Sequence, residues 1–253
     1  MVGPVFKREG PARDLRTNTL LATYLAATAG YVNSGGFVLV GSYTSHVTGS
    51  VGRFADDLAN GKIGGSLAAL TLVLAFLAGA VAASLIIEGR SRSRASRYAL
   101  ALAVEAGLLA CFIFIAGLSH ASHPRILDAK ATLLCAAMGM QNSLVTRLSG
   151  AVVRTTHLTG VVTDLGIELV RWYRWYQALL IRRASSTHPP PRPDGRIGLL
   201  LAITGAFMVG AAAGGVLTAR ASRWAMAVPA ATIGVAAAIG FYQSTQAEKQ
   251  HTH

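Results

Sequence analysis

A polar tetrapeptide of the form H-x-T-G occurs twice in this strongly apolar chain, as HVTG over 46–49 and as HLTG over 157–160. A threonine hydroxyl can accept a hydrogen bond from a free backbone N–H at the start of a helix, and glycine permits close approaches that other residues do not. Each motif is therefore predicted to begin a short helix after a break, over about 48–59 and about 159–181. A helix N-terminus carries unpaired N–H groups and partial positive charge, which suits an anionic group.

Polar residues beside these motifs extend the candidate binding site. Asn33 and Asn142 end their apolar stretches near the motifs. Their amides are expected to hydrogen-bond to the opposite motif, because an unpartnered amide is costly in lipid. Arg154 precedes the second motif and would reinforce its positive charge. The residues predicted to contact a substrate are Asn33, His46, Thr48, Gly49, Gln141, Asn142, Arg154, His157, Thr159 and Gly160.

The two histidines also have a structural interpretation. A repeat can preserve a turn that shapes the fold as readily as a ligand site, so His46 and His157 could instead cap helices or pack in loops. A zinc site would need a third ligand. No cysteine or carboxylate stands at ligand spacing from either histidine. The sequence therefore predicts no metal site, and it leaves capping and substrate contact open.

Carboxylates follow both motifs at matching positions. Asp57 and Glu168 stand at the same distance after their respective histidines, and Asp164 precedes Glu168 by one helical turn. Arg171 follows Glu168 by one turn, close enough for an ion pair. Charge compensation beside an arginine is one interpretation of these carboxylates, and a proton-coupling pair is the other.

Glu105 is a separate candidate because it lies within the apolar stretch ALAVEAGLL. An ionisable side chain inside a membrane span is costly, and it is a functional candidate by default. Its counterpart in the second half of the chain is Ala231, so Glu105 stands outside the symmetric pattern. The residues predicted to couple transport to an ion are Asp57, Glu105, Asp164 and Glu168.

The composition places these residues in a membrane protein. The chain has 253 residues, of which 52% are hydrophobic and only 13% are charged, whereas a soluble domain carries about 25% charged residues. A helix needs about 20 residues to cross a hydrocarbon core of roughly 30 Å. Six apolar stretches reach or approach this length, over about 19–41, 64–87, 98–119, 128–148, 197–219 and 223–243.

The net charge of +12 fits either a nucleic-acid binder or a membrane protein with basic cytoplasmic loops. The distribution of lysine and arginine decides between them. Most of the 23 basic residues fall before the first span, between spans 2 and 3, between spans 4 and 5, or in the tail. The other loops hold only Arg53, Lys62, Arg125, Lys130, Arg220 and Arg223. Both termini are therefore predicted to be cytoplasmic, and no nucleic-acid partner is predicted.

The two halves of the chain repeat each other. Besides H-x-T-G, three sequence blocks recur in the same order: Gly30–Ser34 with Gly139–Ser143, Phe76–Ala83 with Phe207–Gly214, and Ser96–Ala99 with Ser222–Ala225. Each half holds three predicted spans, and because three is odd, the second half must enter the membrane from the opposite side. Inverted repeats of this kind recur in secondary transporters, which bind substrate near the membrane midplane.

The predicted fold is all-α: a polytopic membrane protein with about six transmembrane helices, arranged as two inverted three-helix repeats with short broken or re-entrant helices after each H-x-T-G motif. The small residues Gly79, Ala83, Gly210 and Gly214 are predicted to pack span 2 against span 5. The predicted organisation is a basic cytoplasmic segment over 1–18, repeats over 19–119 and 128–243, a cytoplasmic insertion at about 171–196, and a cytoplasmic tail over 244–253.

The stretch GYVNSGGF…TSHVTGSV in the first half, followed by MGMQNSLVTRLSGAVVRTTHLTGVVTDLGIEL in the second, resembles the YoaK family, small bacterial inner-membrane proteins of unknown function. The resemblance covers nearly the whole chain, and its most specific part is the pattern G-x-Q-N-[SA]…R-T-T-x-x-T-G-x-x-T-D-L-G. The matching residues are Gly139, Gln141, Asn142, Ser143, Arg154, Thr155, Thr156, Thr159, Gly160, Thr163, Asp164, Leu165 and Gly166. The resemblance implies a multi-pass protein of the bacterial inner (plasma) membrane, and it implies transport of small metabolites as an expectation.

The function predicted from the sequence is transport or export of a small metabolite, for which an anionic group would suit the motifs, through a midplane site at the repeat interface. A membrane accessory or structural protein without transport is the alternative. An enzyme is less favoured, because no nucleophile, base and acid cluster with the spacing of an active site. The expected partners are the lipid bilayer and a substrate of unknown identity, with no cofactor, and assembly with further copies of the chain is left open.

Overall fold

A computed structural model of the protein describes residues 15–89, 93–118, 124–148, 158–182, 192–193 and 196–251. These residues form helices and connecting turns, and none of them lies in a β-strand. The helices are α1 (Leu15–Val40), α2 (Val47–Ala59), α3 (Ile63–Glu88), α4 (Arg94–Leu118), α5 (Pro124–Leu148), α6 (Leu158–Arg182), α7 (Arg196–Ala221) and α8 (Ala227–His251), with a short 3-10 helix, Ser222–Met226, between α7 and α8.

Each predicted apolar span coincides with a long helix, and both predicted short helices begin one residue earlier than expected. Three stretches are long and apolar enough to cross a membrane: Ile63–Glu88, Arg94–Gly117 and Ile197–Gln246, the last of which covers most of α7 and of α8. The apolar character of α1 and α5 is interrupted by polar side chains such as Asn33 and Gln141. All-helical architecture with long apolar helices is thus established for the described residues.

Three helix pairs form the bulk of the fold. Helix α1 packs along α7, α3 packs along α5, and α4 packs along α8. Contacts of α5 with α1 and α4 join these pairs into one bundle, whose interior includes the fully buried side chains of Tyr98, Phe112, Leu134, Met138 and Met226. The shorter α2 lies on α3, and α6 lies on α7.

Helices α3 and α5 run parallel to each other. Ser84 Oγ lies 3.1 Å from Ser143 Oγ. One turn further along both helices, Arg147 donates a hydrogen bond to Glu88 over 2.6 Å. Because the residue numbers of the contacting pairs increase together along both helices, the C-terminal ends of α3 and α5 lie at the same end of the bundle.

Helices α1 and α7 are also parallel. Gly30 lies against the backbone of Phe207, and Gly35, further along α1, lies near the Thr218 hydroxyl, further along α7. Helices α4 and α8 are antiparallel, because Gly117 near the end of α4 lies against Arg223 just before α8 begins. Because α3 and α5 are parallel, the chain must return to its starting end between them. Helix α4 makes this return, so α3, α4 and α5 cross the bundle in alternating directions.

The small residues pack different helices from those predicted. Gly79 of α3 lies against the carbonyl of Ala136 on α5, and Gly210 of α7 lies against the carbonyl of Ala27 on α1. The prediction that span 2, which is α3, packs on span 5, which is α7, is therefore wrong. A glycine admits a neighbouring backbone at close range, which indicates a tight crossing but does not specify its partner.

The outer surface of the long helices is apolar. On α3, Leu74, Leu77 and Leu85 are more than half exposed, and on α7 so are Met208 and Val209. Exposed apolar area of this extent suits contact with lipid better than contact with water. Together with the three apolar stretches, it indicates association with a membrane.

Candidate functional site

The first H-x-T-G motif forms the turn between α1 and α2. His46 occupies the N-cap position of α2, where its side chain makes no capping hydrogen bond and its carbonyl accepts one from the Ser50 N–H over 3.1 Å. Thr48 lies inside the first turn, and its side chain is exposed. Helix α2 therefore begins at Val47, one residue before the predicted start, and its N-cap is His46, where the backbone leaves the helical conformation.

The glycine of the motif makes room for the histidine. A Cβ on Gly49 would overlap with the imidazole Nδ1 of His46, so the ring lies over the first turn of α2. Only glycine leaves this space without displacing the ring. The spacing from histidine to glycine in the motif is thus explained by a local contact, in addition to any role in binding.

Asn33 holds the turn before the motif. Its Oδ1 accepts hydrogen bonds from the Ser45 N–H over 3.0 Å and from the Ser45 hydroxyl over 2.9 Å. Asn33 is 9% exposed, so these bonds satisfy an acceptor that would otherwise be buried without a partner. The described hydrogen bonds therefore join Asn33 to its own turn, and its bond to the opposite motif stays a prediction, because Arg154 and His157 lie outside the described residues.

A shallow cleft of about 160 Å³ opens beside the motif. Its lining consists of Phe37, Gly41, Ser42, Tyr43, His46, Gly49, Ser50 and Arg53. The rings of Phe37 and Tyr43 stack with centroids 4.4 Å apart and form one wall. The N-terminus of α2 and the Arg53 guanidinium supply positive charge, and an aromatic wall supplies apolar area, so the cleft has the chemistry to admit a small anionic molecule.

Asp57 stabilises the corner between α2 and α3. Its Oδ2 lies 3.5 Å from Arg53 Nε, and a Cβ on Gly65 would overlap with this oxygen. The carboxylate therefore lies against the first turn of α3, where free N–H groups favour negative charge. These contacts agree with the charge-compensation interpretation of Asp57, and its coupling role stays a prediction.

The second motif is described only from Leu158 onward. Arg154 and His157, both predicted to contact a substrate, lie outside the described residues. Thr159 is exposed at the start of α6, and Gly160 is partly buried. Because α6 packs on α7 whereas α2 packs on α3, the described parts of the two motifs have different helix partners and are not brought into extensive contact.

Glu168 forms the ion pair that the sequence predicts on α6. Its Oε1 accepts a hydrogen bond from Arg171 Nη1 over 2.7 Å, and the residue is 4% exposed. Its Oε2 has no hydrogen-bond partner among the described residues. Asp164, one turn earlier, is exposed. The two carboxylates therefore differ in environment, and the pairing of Glu168 with arginine keeps a buried charge compensated.

Gln141 is the most deeply buried polar residue among the described members of the predicted binding set. It is 1% exposed, and neither its Oε1 nor its Nε2 has a hydrogen-bond partner among the described residues. Asn142 next to it is partly buried and has a bonding partner. A buried amide without partners costs roughly 1–3 kcal/mol, so Gln141 is available to bind a ligand or water.

Glu105 occupies the interior of the bundle together with a residue that sequence reasoning missed. The side chain of Glu105 on α4 is buried, and the hydroxyl of Tyr24 on α1 is buried without a hydrogen-bond partner among the described residues. Tyr24 carries no sequence pattern of its own, so no pattern in the sequence pointed to it.

Among the residues that the structure describes, no group of three or more His, Cys, Asp or Glu is placed to hold a metal ion. The features described above form three separate parts of the candidate site. They are the cleft beside the first motif, the unpartnered amide of Gln141, and the buried carboxyl of Glu105.

Comparison with known proteins identifies the family but gives no characterised relative. No curated protein matches the chain, and no solved structure matches it. A family described as "Protein of unknown function (DUF1275)" matches residues 21–239, which is most of the chain. The chain therefore belongs to the DUF1275 family, the family that also contains YoaK.

Proposed function

We propose that the protein is a six-span transporter of the bacterial inner membrane, built from two inverted repeats, that moves a small metabolite. The observation that carries the proposal is a set of reciprocal contacts between the two halves of the chain. Inverted repeats matter for transport because the two halves can exchange conformations and open a central site to each side of the membrane in turn.

The reciprocity is visible at the tightest helix crossings. In the sequence repeat, Ala27 corresponds to Ala136, and Gly79 corresponds to Gly210. Gly79 lies against Ala136, and Gly210 lies against Ala27. Exchanging the two halves therefore converts one contact into the other, as a pseudo-two-fold axis requires.

A second pair of contacts obeys the same rule. Gly30 corresponds to Gly139, and Phe76 corresponds to Phe207. The backbone of Gly30 lies against that of Phe207, and the backbone of Gly139 lies against that of Phe76. The correspondence comes from sequence alone and the contacts come from packing, so their agreement supports a symmetric pair of three-span repeats.

The directions of the helices support the same topology. Inversion of the second half makes α1 parallel to α7, α3 parallel to α5, and α4 antiparallel to α8, and the packing has this pattern. With six crossings the termini share one side, and the basic residues favour the cytoplasm for that side.

The substrate site is proposed at the interface of the repeats, where α1 meets α5 and Gln141 holds an unpartnered amide in the interior. The cleft beside His46 and Arg53 would attract an anionic group toward this interface. The remaining predicted contacts, including Thr48 and Thr159, would lie along the path by which the substrate enters and leaves.

Cysteine accessibility tests this proposal directly. Cys111 and Cys135 are first replaced by Ser and Ala to remove the native thiols. T48C and T159C are then treated with a membrane-impermeant maleimide in right-side-out and inverted vesicles. We expect T48C to react from the periplasmic side and T159C from the cytoplasmic side. We also expect added substrate to change both rates in opposite directions.

Thr71 supplies the matched control, because it is an exposed threonine within the apolar span Ile63–Glu88. T71C should react from neither side. Reaction of T48C and T159C from the same side would contradict the inverted topology, and lasting protection of both would contradict transport. The substrate is identified by comparing metabolites in cells with and without the protein, followed by uptake into proteoliposomes.

A further inference from the structure

Helix α6 is longer than its counterpart in the first half of the chain. When the two H-x-T-G motifs are aligned, the end of α2 at Ala59 falls near the middle of α6, which continues to Arg182. The difference has a local cause, because Gly61 after α2 has a φ of +69°, whereas the equivalent residue of α6 is Trp172. Glycine in this left-handed conformation ends helices. The segment 171–182, called the α6 extension below, therefore has no counterpart in the first half.

An apolar stripe follows one side of α6 into the extension. Leu169, Tyr173, Tyr176 and Leu180 recur at spacings of four, three and four residues, so they share one helix face. Each of these side chains is more than half exposed. The Tyr173 hydroxyl accepts a hydrogen bond from Gln177 over 2.6 Å, so its polar end has a partner while its ring stays exposed. Exposed tyrosine and leucine in one row suit the boundary between water and lipid.

The neighbouring face attaches the extension to the bundle. Trp172 and Trp175 are half-buried and meet edge to face, with ring centroids 5.5 Å apart. They continue the row that begins with the buried Glu168, and α6 packs on α7. The tryptophans thus anchor α6 to the protein, and the tyrosine and leucine stripe faces outward from the protein.

The third side of the extension is basic. Arg171 and Arg174 are exposed, and the helical period places them across the helix from the tyrosine and leucine stripe. Arg192 is also exposed, and its guanidinium lies 5.2 Å from the centroid of the Trp172 ring. The sequence contains no aspartate or glutamate over 169–182.

Two of these three arginines keep an uncompensated charge. Arg171 donates a hydrogen bond to Glu168 over 2.7 Å, so a carboxylate shares its charge. No carboxylate among the described residues forms an ion pair with Arg174 or Arg192. Their guanidinium groups are therefore available to an external anion, and guanidinium is suited to phosphate because of its planar set of donors.

The position of Arg192 in the chain relates this basic side to the membrane. The apolar stretch Ile197–Gln246 begins shortly after it. Arginine just outside an apolar span lies at the depth of the phospholipid headgroups. Because Trp172 lies against Arg192, the first turn of the extension lies at the same level. The stripe can then contact acyl chains while the arginines reach phosphate groups, as in helices that lie in the membrane interface.

We propose that the α6 extension is a binding site for an anionic phospholipid, in which Arg174 and Arg192 pair with the lipid phosphate and the stripe of Tyr173 and Tyr176 packs on its acyl chains. A zwitterionic lipid carries the same phosphate, but its ammonium group is repelled by the arginines, so the site prefers a lipid with net negative charge. The binding itself does not depend on transport. Its assignment to the cytoplasmic leaflet rests on the proposed topology.

A soluble phosphate compound is the competing ligand. It would use the arginines, but it would leave the exposed row of Tyr173, Tyr176 and Leu180 without a partner. A phospholipid satisfies both features at once, since one molecule carries the anionic group and the apolar chains. The combination of charge and apolar area therefore favours the lipid.

Tryptophan quenching tests the proposal on the full-length protein in bilayers. The chain has three tryptophans, and W224F leaves only the two of the extension as reporters. The bilayer is phosphatidylcholine with a small fraction of phosphatidylglycerol, and one of the two lipids carries brominated acyl chains, which quench tryptophan. We expect brominated phosphatidylglycerol to quench more strongly than the same fraction of brominated phosphatidylcholine. Added sodium chloride should weaken this preference, because salt screens exposed charges.

Variants in the same W224F background assign the preference to the arginines. R174Q and R192Q should each lower the apparent affinity for phosphatidylglycerol about fivefold. The double variant R174K/R192K should retain most of it, since the charges remain. R220Q is the matched control, because Arg220 is an exposed arginine at the opposite end of α7, and it should change nothing. The melting temperature in phosphatidylcholine alone should stay close to that of the parent protein in all variants.

Three results would overturn the proposal. They are equal quenching by the two brominated lipids, an effect of R220Q as large as that of R174Q, and loss of the preference when inorganic phosphate is added at constant ionic strength. The last result would assign the arginines to a soluble phosphate compound.

Failure of this proposal is distinguishable from failure of the proposed function. If the lipid preference is found but T159C reacts from the periplasmic side, the lipid site stands, and the leaflet and the proposed topology are wrong. If T159C reacts from the cytoplasmic side and no lipid preference is found, the topology stands and the lipid site is rejected.

Discussion

The backbone carbonyl of Ala136 occupies the space in which a side chain on Gly79 would lie. This contact fixes the distance between α3 and α5, and the equivalent contact between Gly210 and Ala27 fixes the distance between α7 and α1. In both parallel helix pairs, a glycine thus packs against the backbone carbonyl of an alanine. The contacts make the proposed symmetry accessible to measurement, because a change at one crossing should have the same effect as a change at the other.

G79A should destabilise the protein by about 1–3 kcal/mol, because the added methyl group must displace a backbone. G210A should have a similar effect, since its crossing is the equivalent one. G205A is the control on α7, where a Cβ meets nothing within 4 Å. It should be neutral or slightly stabilising. The melting temperature in detergent measures all three, and a similar loss for G205A would contradict the packing argument.

N33A should release the turn that precedes α2. The variant removes two part-buried hydrogen bonds to Ser45. The expected cost is about 1–3 kcal/mol, because both Ser45 donors lose their acceptor. We expect a lower melting temperature together with faster maleimide labelling of T48C. N60A, which removes an exposed hydrogen bond to the Asp56 carbonyl, is the matched control and should change neither quantity. Unchanged labelling in N33A would mean that the turn is held by other contacts.

The double variant S84C/S143C should form a disulfide under mild oxidation. The two hydroxyl oxygens lie 3.1 Å apart, which places the residues within reach of a disulfide without large backbone movement. S66C/S143C is the control, because Ser66 lies near the opposite end of α3. A shift in electrophoretic mobility after cleavage between the helices reports the bond. Crosslinking of the control pair instead would show that α3 and α5 are antiparallel.

E105Q should leave the free energy of unfolding within about 1 kcal/mol of the wild-type value, because no described residue forms an ion pair with Glu105 and the amide has the same size as the carboxyl. E105K should lower stability by about 3 kcal/mol or more, since it buries an unpaired charge. E168Q tests the opposite case and should be destabilising, because it removes the partner of Arg171. Thermal unfolding in detergent compares the three variants. A greater loss of stability in E105Q than in E168Q would contradict this expectation.

Reporter fusions after Gly89 and after Leu118 should indicate opposite sides of the membrane. Helix α4 lies between these positions and crosses the bundle from one end to the other. The fusion after Gly89 should be cytoplasmic, because this loop is rich in arginine. Equal activity of one reporter at both positions would contradict both the crossing of α4 and the six-span topology.

The sequence alone determined where the helices lie, and its matching blocks predict that the chain is built from two repeats. Runs of apolar residues about 20 long can be satisfied only by a helix in lipid, so the spans follow from local composition. Matching blocks such as Gly30–Ser34 and Gly139–Ser143 are visible without any coordinates. The ion pair between Glu168 and Arg171 was also predictable, because both residues lie on one helix at a fixed spacing.

Only the tertiary structure decided which helices become neighbours. The small residues of α3 and α7 predict a close crossing, yet the choice of α5 and α1 as partners depends on how the whole bundle packs. The same limit applies to Asn33, whose side-chain acceptor is satisfied by Ser45. Local patterns encode what a residue can contact, whereas the contact that forms is set by the simultaneous packing of all the helices.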